Sequence, residues 1–261
     1  MKVTTLSNRR VLAPCRLAWY TYQIDPYIGC EHSCLYCYIL NTPHRNEHIL
    51  IHKNITKRLH QEILSLKPQT IYMGMDTDPY QPLEKTLNQT RTVLQLLAEK
   101  EFSVSLLTKS PLITRDIDIL TRMEDPLAGI SLAFQDEETR KLFEPKAPPN
   151  EQRIRALAEL KKAGIETYTL ICPVIPKITD VEALIDKAVP YSDAIWLYRL
   201  NVHSKNVNWQ NVNSILHRNF PEIAEQVREI IFSRKHAYWT EVRQNLVNIQ
   251  KERGISLEIR L

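Results

Sequence analysis

Three cysteines stand close together, Cys30, Cys34 and Cys37, within the run Gly-Cys-Glu-His-Ser-Cys-Leu-Tyr-Cys-Tyr. Their spacing is C-x3-C-x2-C, and no fourth cysteine follows nearby. Thiolates are the ligands of iron–sulfur clusters, and a cubane cluster ordinarily takes four of them. Three protein ligands on a four-iron, four-sulfur (4Fe-4S) cluster leave one iron open, and an open metal position is where chemistry happens. The alternative is a structural zinc ion completed by His32, His44 or His48. Such sites usually join two C-x2-C knuckles, or two Cys with two His. The first reading implies an enzyme. The second, or a fully ligated cluster, implies a binding module or an electron carrier.

The elements that must position these residues follow a regular alternation. Apolar runs of strand length at 19–24, 70–75, 103–108, 128–133, 166–171 and 194–200 alternate with helical periods at 55–66, 83–100, 113–122, 150–163 and 181–189. In the 150–163 segment Asn150 is a candidate N-cap, and Ile154, Leu157, Ala158 and Leu160 share one stripe that Gly164 ends. Such alternation predicts parallel strands joined by right-handed crossovers. Six units fall short of a closed eight-unit barrel, leaving an open doubly wound sheet or a partial barrel. The polar motifs decide between them, because each falls just after a strand. The cysteines follow the first, 76–84 the second, Lys109 the third and 172–176 the fifth. Barrels collect functional groups at the C-terminal ends of several strands at once. The expected fold is therefore an α/β, incomplete (βα)6 partial TIM barrel over about residues 19–200. A mostly helical C-terminal extension over about 201–261 completes a single domain of 1–261, and its apolar run at 255–261 suits an extra strand.

Composition narrows the class. The 261 residues are 43% hydrophobic, enough for a sizeable core, and the net charge of +4 permits an anionic partner without demanding one. No run approaches 18 apolar residues and the first residues lack an apolar signal core, so no membrane contact and a cytoplasmic location are expected. Five cysteines with three clustered read as a metal site in a reducing compartment, not a disulfide framework. Only five glycines occur, so each is expected where nothing else fits. Gly29 precedes the first clustered cysteine, and Gly74 and Gly129 fall in candidate strands where another backbone or a ligand approaches closely.

Beyond the cysteines, the chain resembles the spore photoproduct lyase-like branch of the radical S-adenosylmethionine (SAM) superfamily. Four pieces carry the resemblance across residues 20–200: Pro-Tyr-Ile-Gly-Cys-Glu-His-Ser-Cys-Leu-Tyr-Cys-Tyr at 26–38, Thr-Asp-Pro-Tyr-Gln-Pro-Leu-Glu at 77–84, Leu-Thr-Lys-Ser at 107–110 and Phe-Glu-Pro-Lys-Ala-Pro-Pro at 143–149. The resemblance implies a 4Fe-4S cluster on Cys30, Cys34 and Cys37 whose open iron chelates SAM. It also implies reductive cleavage of SAM to a 5′-deoxyadenosyl radical, with electrons from a flavodoxin or ferredoxin. Thr77, Asp78, Lys109 and Ser131 fall at SAM-contacting positions, Lys109 facing the carboxylate. Tyr38 falls near the adenine or the radical path. Glu144 and Arg153 are expected as an ion pair and not as catalytic groups.

One departure matters. The lyases that repair the spore lesion carry a hydrogen-donating cysteine where this chain has Met75, and methionine has no S–H. Cys172, closing the fifth strand before Pro173, is the remaining thiol expected near the barrel mouth, and with Tyr38 it is the candidate hydrogen donor. The alternative for Cys172 is a small packed hydrophobe. Arg228, Arg234, Lys235, His236 and Arg243, with Tyr238 and Trp239 among them, make a loose basic tail. Such a mix suits phosphate contact and base stacking. Nucleic acid is accordingly the expected substrate, with a peptide or small molecule as the alternative.

Overall fold

The computed structural model describes residues 2–6, 9–42 and 48–261. Its strands are β1 (Lys2–Leu6), β2 (Leu12–Pro14), β3 (Tyr22–Ile24), β4 (Tyr27–Ile28), β5 (His48–His52), β6 (Thr70–Met73), β7 (Ser103–Thr108), β8 (Leu127–Leu132), β9 (Glu166–Val174), β10 (Ala194–Arg199) and β11 (Leu257–Arg260). The helices are α1 (Ile55–Ile63), α2 (Glu84–Leu87), α3 (Gln89–Glu99), α4 (Ile117–Leu120), α5 (Glu137–Phe143), α6 (Asn150–Lys162), α7 (Val181–Ala188), α8 (Val207–Asn219), α9 (Ala224–Phe232) and α10 (Ala237–Arg253).

The main sheet runs β2-β3-β6-β7-β8-β9-β10-β11, parallel throughout except for the antiparallel edge pair β2–β3. From β3 onward the spatial order is the chain order. A doubly wound sheet reverses its order at a switch point; this one does not, so its helices collect on one face and the sheet curls like part of a barrel without closing. The tail is helical as expected, and β11 adds the extra strand beside β10.

Alternation along each strand divides the side chains between two faces. Ile71, Met73, Val104, Leu106, Ala128, Ile130, Leu132, Ile171, Ile195 and Leu197 point outward into one core with Val93, Leu97, Leu157 and Leu184 of the helices. The opposite parity faces inward. It includes Tyr72, Ser105, Gly129, Ser131, Tyr168, Cys172 and Trp196.

Some boundaries differ from the sequence expectation. The first strand is only Tyr22–Ile24, and Trp19 lies outside it with half its surface exposed. The helix expected at 83–100 is two helices, broken where Asn88 takes a left-handed φ of 52°. The segment 113–122 is a 3-10 helix over Pro111–Asp116 followed by the single turn α4. Asn150 is the first residue of α6 and not its cap. Its side-chain amide donates to the Phe134 carbonyl (2.7 Å) instead.

Two glycines are required by close approach. A Cβ on Gly74, whose φ is +98°, would lie 2.5 Å from the Leu107 carbonyl oxygen. A Cβ on Gly129 would lie 2.1 Å from Cζ of Tyr168, whose ring stacks on Trp196 at 4.1 Å. Gly129→Ala is expected to cost about 1–3 kcal/mol of stability through overpacking. In a Tyr168→Ala background the added cost should shrink, because the obstructing ring is gone. Urea denaturation of the four proteins checks this; equal costs in both backgrounds would refute it.

Candidate active site

The cysteines sit on the connection between β4 and β5, which pair antiparallel in a small sheet with β1. Gly29 enters this loop with a φ of 89°, and Ser33 also lies in the left-handed region. The turn is fixed by backbone bonds from the Cys37 N–H to the Cys34 carbonyl (3.1 Å) and from the Leu35 N–H to the Phe143 carbonyl (2.8 Å). All three thiols are free, Cys34 buried and its neighbours partly so. Burial lifts each above the ordinary thiol range, Cys34 to about 12, while the Lys109 ammonium nearby favours the thiolate of Cys34 and Cys37. Thiols so placed lose their protons readily only to a metal or cluster that binds the thiolate. The chemistry of the donor set fits the iron–sulfur group its spacing implies, although no three metal-ligating side chains among the described residues are gathered as a ligand set. Of the histidines considered for zinc, His32 turns to Asp78, with Nε2 3.2 Å from Oδ2, and His48 is exposed on β5. His44 lies outside the described residues.

Residues after β6 hold the loop in place. The Thr77 hydroxyl donates to the Gly29 carbonyl (2.7 Å), and Gln81 reaches both that carbonyl and the Thr77 oxygen. Gln81 also accepts from the Glu31 N–H (2.9 Å). Asp78 is buried, accepts three hydrogen bonds and lies beside the His32 imidazole. Its Oδ1 accepts from the Tyr80 N–H (2.9 Å) and the Thr108 hydroxyl (2.5 Å); its Oδ2 accepts from the Lys109 N–H (2.7 Å) and faces His32. Burial alone would raise this carboxyl, but these donors outweigh it and hold it at about 2. Thr77 and Asp78 thus act on the protein's own backbone in this structure, bracing the cysteine loop against the strand ends.

Lys109, just beyond β7, sends its ammonium inward to Ser131 Oγ (3.0 Å) on β8. It lies 3.8 Å from Glu144 and 5.8 Å from the centre of the Tyr36 ring. Glu144 is fully buried, takes a 2.5 Å bond from Arg153 and accepts from the Tyr36 hydroxyl. Arg153, equally buried, also donates to the carbonyls of Ser131 (3.0 Å) and Pro148 (2.8 Å). Glu144 and Arg153 are the expected ion pair, and they back the lysine. Tyr36 was missed as a site residue; its place between two cysteines was the available signal.

Tyr38 is 40% exposed, its hydroxyl donating to the Met75 carbonyl and accepting from Arg16 (3.3 Å). Cys172, on the inward parity of β9, interacts electrostatically with Lys109, Cys37 and Glu144, and burial lifts its thiol to about 11. The parity of β9 turns it to the inner face of the sheet and away from the strand–helix core. The C-terminal extension also reaches the site. On α8, Asn208 donates to the Tyr36 carbonyl (3.1 Å) and Asn211 to the Leu35 carbonyl (3.4 Å). The basic tail is arranged differently from the expectation. Trp239 is buried with its indole N–H on the Ile230 carbonyl, and the Tyr238 hydroxyl accepts from the Lys177 N–H. The Trp239 ring is therefore not free to stack on a base.

Comparison with known proteins agrees with this geometry. Residues 24–188 match the radical SAM superfamily. The chain belongs to that superfamily and is an enzyme of its class. It is 28% identical to an uncharacterised protein of Methanocaldococcus jannaschii, over 99% of this chain and 96% of that one. An uncharacterised protein of Mycobacterium tuberculosis is 24% identical over 81% of this chain and 67% of its own. Among solved structures, a spore photoproduct lyase mutant superposes with a TM-score of 0.63 at 13% identity, over 84% of this chain. SuiB of Streptococcus suis bound to S-adenosylmethionine gives 0.60 at 11%, over 99% of this chain. The chain spans 66% of the lyase and 49% of SuiB. The likeness to these two establishes the shared partial barrel. No helix among the described residues is long and apolar enough to cross a membrane.

Two measurements probe the site's electrostatics. Arg153→Met leaves the buried Glu144 facing only Tyr36 and Lys109, and is expected to cost about 3–5 kcal/mol in a denaturation experiment. A cost near zero would show that Lys109 alone suffices. Asp25, which accepts from the Asp76 N–H and Gln23, is pushed by burial up to about 6 from an ordinary 3.8. Between those values the folded chain binds more protons than the unfolded one, so stability falls as pH rises through the window. The group's contribution is on the order of 2–3 kcal/mol. Asp25→Asn should flatten the stability–pH curve between pH 4 and 6, and an unchanged slope would count against it.

Proposed function

We propose that Cys30, Cys34 and Cys37 hold a 4Fe-4S cluster, that SAM binds between this loop and the strand ends, and that the enzyme acts on a nucleic acid. The observation that supports the cofactor reading is a loop carrying three free thiols, of which Cys34 and Cys37 lie near the Lys109 ammonium that Ser131 receives from the neighbouring strand. A cluster held by these cysteines would supply the one electron that breaks the SAM sulfonium to methionine and a 5′-deoxyadenosyl radical. Lys109 pairs with the methionine carboxylate, and Glu144 and Arg153 fix where its charge sits. Ser131 orients the ammonium from the neighbouring strand. Thr77 and Asp78 serve the pocket by holding the loop at a set height above the strands. The Tyr38 ring borders it on the exposed side, within reach of a purine face. Electrons come from a flavodoxin or ferredoxin, and the barrel with its extension works as one domain in the cytosol.

The nucleic-acid substrate rests on two features. Trp19, half exposed, lies 5.9 Å from Trp196 of the inner face, with the Arg260 guanidinium over its ring at 5.8 Å. An exposed indole flanked by a cation suits base stacking beside a phosphate. At the end of β10, burial and the nearby Arg234 and Arg243 lower the affinity of Arg199 for its proton, as expected of gathered cations that attract an anion. A solved spore photoproduct lyase carries a dinucleoside spore photoproduct. With Met75 at the lyases' thiol position, Cys172 is the proposed hydrogen donor. Its S–H bond breaks, the hydrogen atom goes to a substrate radical, and a thiyl remains on sulfur.

Anaerobic reconstitution with iron and sulfide, then SAM and dithionite, should yield 5′-deoxyadenosine and a SAM-dependent change in the electron paramagnetic resonance of the reduced cluster. Protein that holds only zinc, or a cluster blind to SAM, overturns the cofactor reading. Lys109→Ala should weaken SAM binding about tenfold or more with iron content unchanged. For the substrate, Trp19→Ala should weaken binding of single-stranded oligonucleotides by about 1–3 kcal/mol, read by fluorescence anisotropy. Unchanged binding removes Trp19 from the substrate path.

A further inference from the structure

A cavity of about 530 Å³ opens beside the cysteine loop, where His32 of that loop meets the turns that follow β6 and β7. Its walls are the segments around Tyr80–Lys85, Ser110–Arg115 and Lys146–Gln152, with His32 at its floor. Every charged side chain that lines it is cationic: Lys85, Arg115 and Lys146, with no carboxylate among the lining residues. Arg115 is already answered by Glu84 and Asp116 at 2.7 and 2.8 Å. Lys85 and Lys146 are exposed and make no ion pair with the described residues.

His32 ties this cavity to the cysteines. It stands two residues after Cys30 and two before Cys34, and is only 2% exposed. Its Nε2 lies 3.2 Å from Asp78 Oδ2, yet neither ring nitrogen makes a hydrogen bond among the described residues. A buried imidazole nitrogen without a partner is costly unless something supplies one. The cavity thus comes within one side chain of the cluster-binding loop.

The other approaches to that loop are taken. Lys109, Ser131 and Cys172 occupy the inner side, where SAM and substrate are placed above. Asn208 and Asn211 of α8 cover the carbonyls of Tyr36 and Leu35. We infer that the cationic cavity beside His32 is where an acidic one-electron donor protein, of the flavodoxin or ferredoxin type, docks. This rests on the cluster reading above. In the step served, the reduced donor loses one electron and the oxidised cluster gains it, with no atom transferred. None of the residues assigned above to SAM or substrate lines this cavity, so a donor seated there leaves their places open.

The test uses the reconstituted protein, a flavodoxin and a low-potential ferredoxin, both of net negative charge, and the double variant Lys85→Glu/Lys146→Glu. Circular dichroism and iron content should be unchanged. Calorimetric affinity for flavodoxin or ferredoxin should fall about tenfold or more, and added salt should weaken the unmodified pair but hardly affect the variant. Deoxyadenosine formation driven by flavodoxin should fall likewise, while formation driven by dithionite stays as before. Unchanged donor affinity overturns the proposal. So does an equal loss with dithionite, which would make the lysines structural. Tight binding of inorganic pyrophosphate that leaves donor affinity intact would instead make the cavity a small-anion site. If the unmodified protein forms no deoxyadenosine with dithionite, the cofactor reading fails by itself, and the affinity measurement still decides the docking surface. Lys85→Gln/Lys146→Gln, which removes charge without reversing it, should give an intermediate loss.

Discussion

A carboxylate taken out of water must be surrounded by donors, and the groups around Asp78 come from three separate stretches of chain. The Tyr80 N–H belongs to its own turn, Thr108 and the Lys109 N–H to the end of β7, and His32 to the cysteine loop. One side chain therefore sets the height of the cysteines over the sheet and the start of the lysine that points beneath them. Losing any one donor leaves charge buried and uncompensated, which is expensive. This coupling is why Thr77, Gln81 and Gly29 lie in one hydrogen-bonded chain.

The division of faces explains how a sheet that never closes supports a site. Outward residues spend their surface on helices and form the larger core. Inward residues are mixed aromatic and polar, because they border the space beneath the cysteine loop and not a packed helix layer. The cysteine loop roofs that space, and a second apolar cluster joins Cys34 and Tyr36 to Phe134, Phe143 and the helices after residue 206. The extension is therefore a wall of the site and not an appendage.

Much of this was legible in the sequence, for local reasons. The cysteine spacing, the glycines at positions of close approach and the apolar runs all express constraints that act within a few residues. The strand-end location of each motif followed from the alternation alone. What escaped notice depends on pairs distant in sequence. Tyr36 meets Glu144 across 108 residues, and Asn208 meets the Tyr36 carbonyl across 172. Nothing in the neighbourhood of an asparagine on a helix announces which carbonyl it will find. The basic tail misled for the same reason, since burial of Trp239 is decided by the packing of α9 and α10 and not by its charged neighbours. The break at Asn88 reflects a buried carboxylate winning over helix propensity: Glu84 accepts from the Thr90 and Arg91 N–H groups, which bends the chain.

The bracing of the cysteine loop by α8 has a consequence for the order of events at birth. A chain emerges from its N-terminal end, so the cysteines are exposed long before the asparagines that will hold their loop exist. Until α8 forms, Cys34 has only part of its apolar shelter, and its thiol faces solvent and oxidants. The proposed oxygen-sensitive centre, if assembled on a half-made chain, would lack that shelter. On that proposal the architecture ties readiness for the inorganic group to near-completion of the polypeptide, with the last helices as the signal that the nest is built.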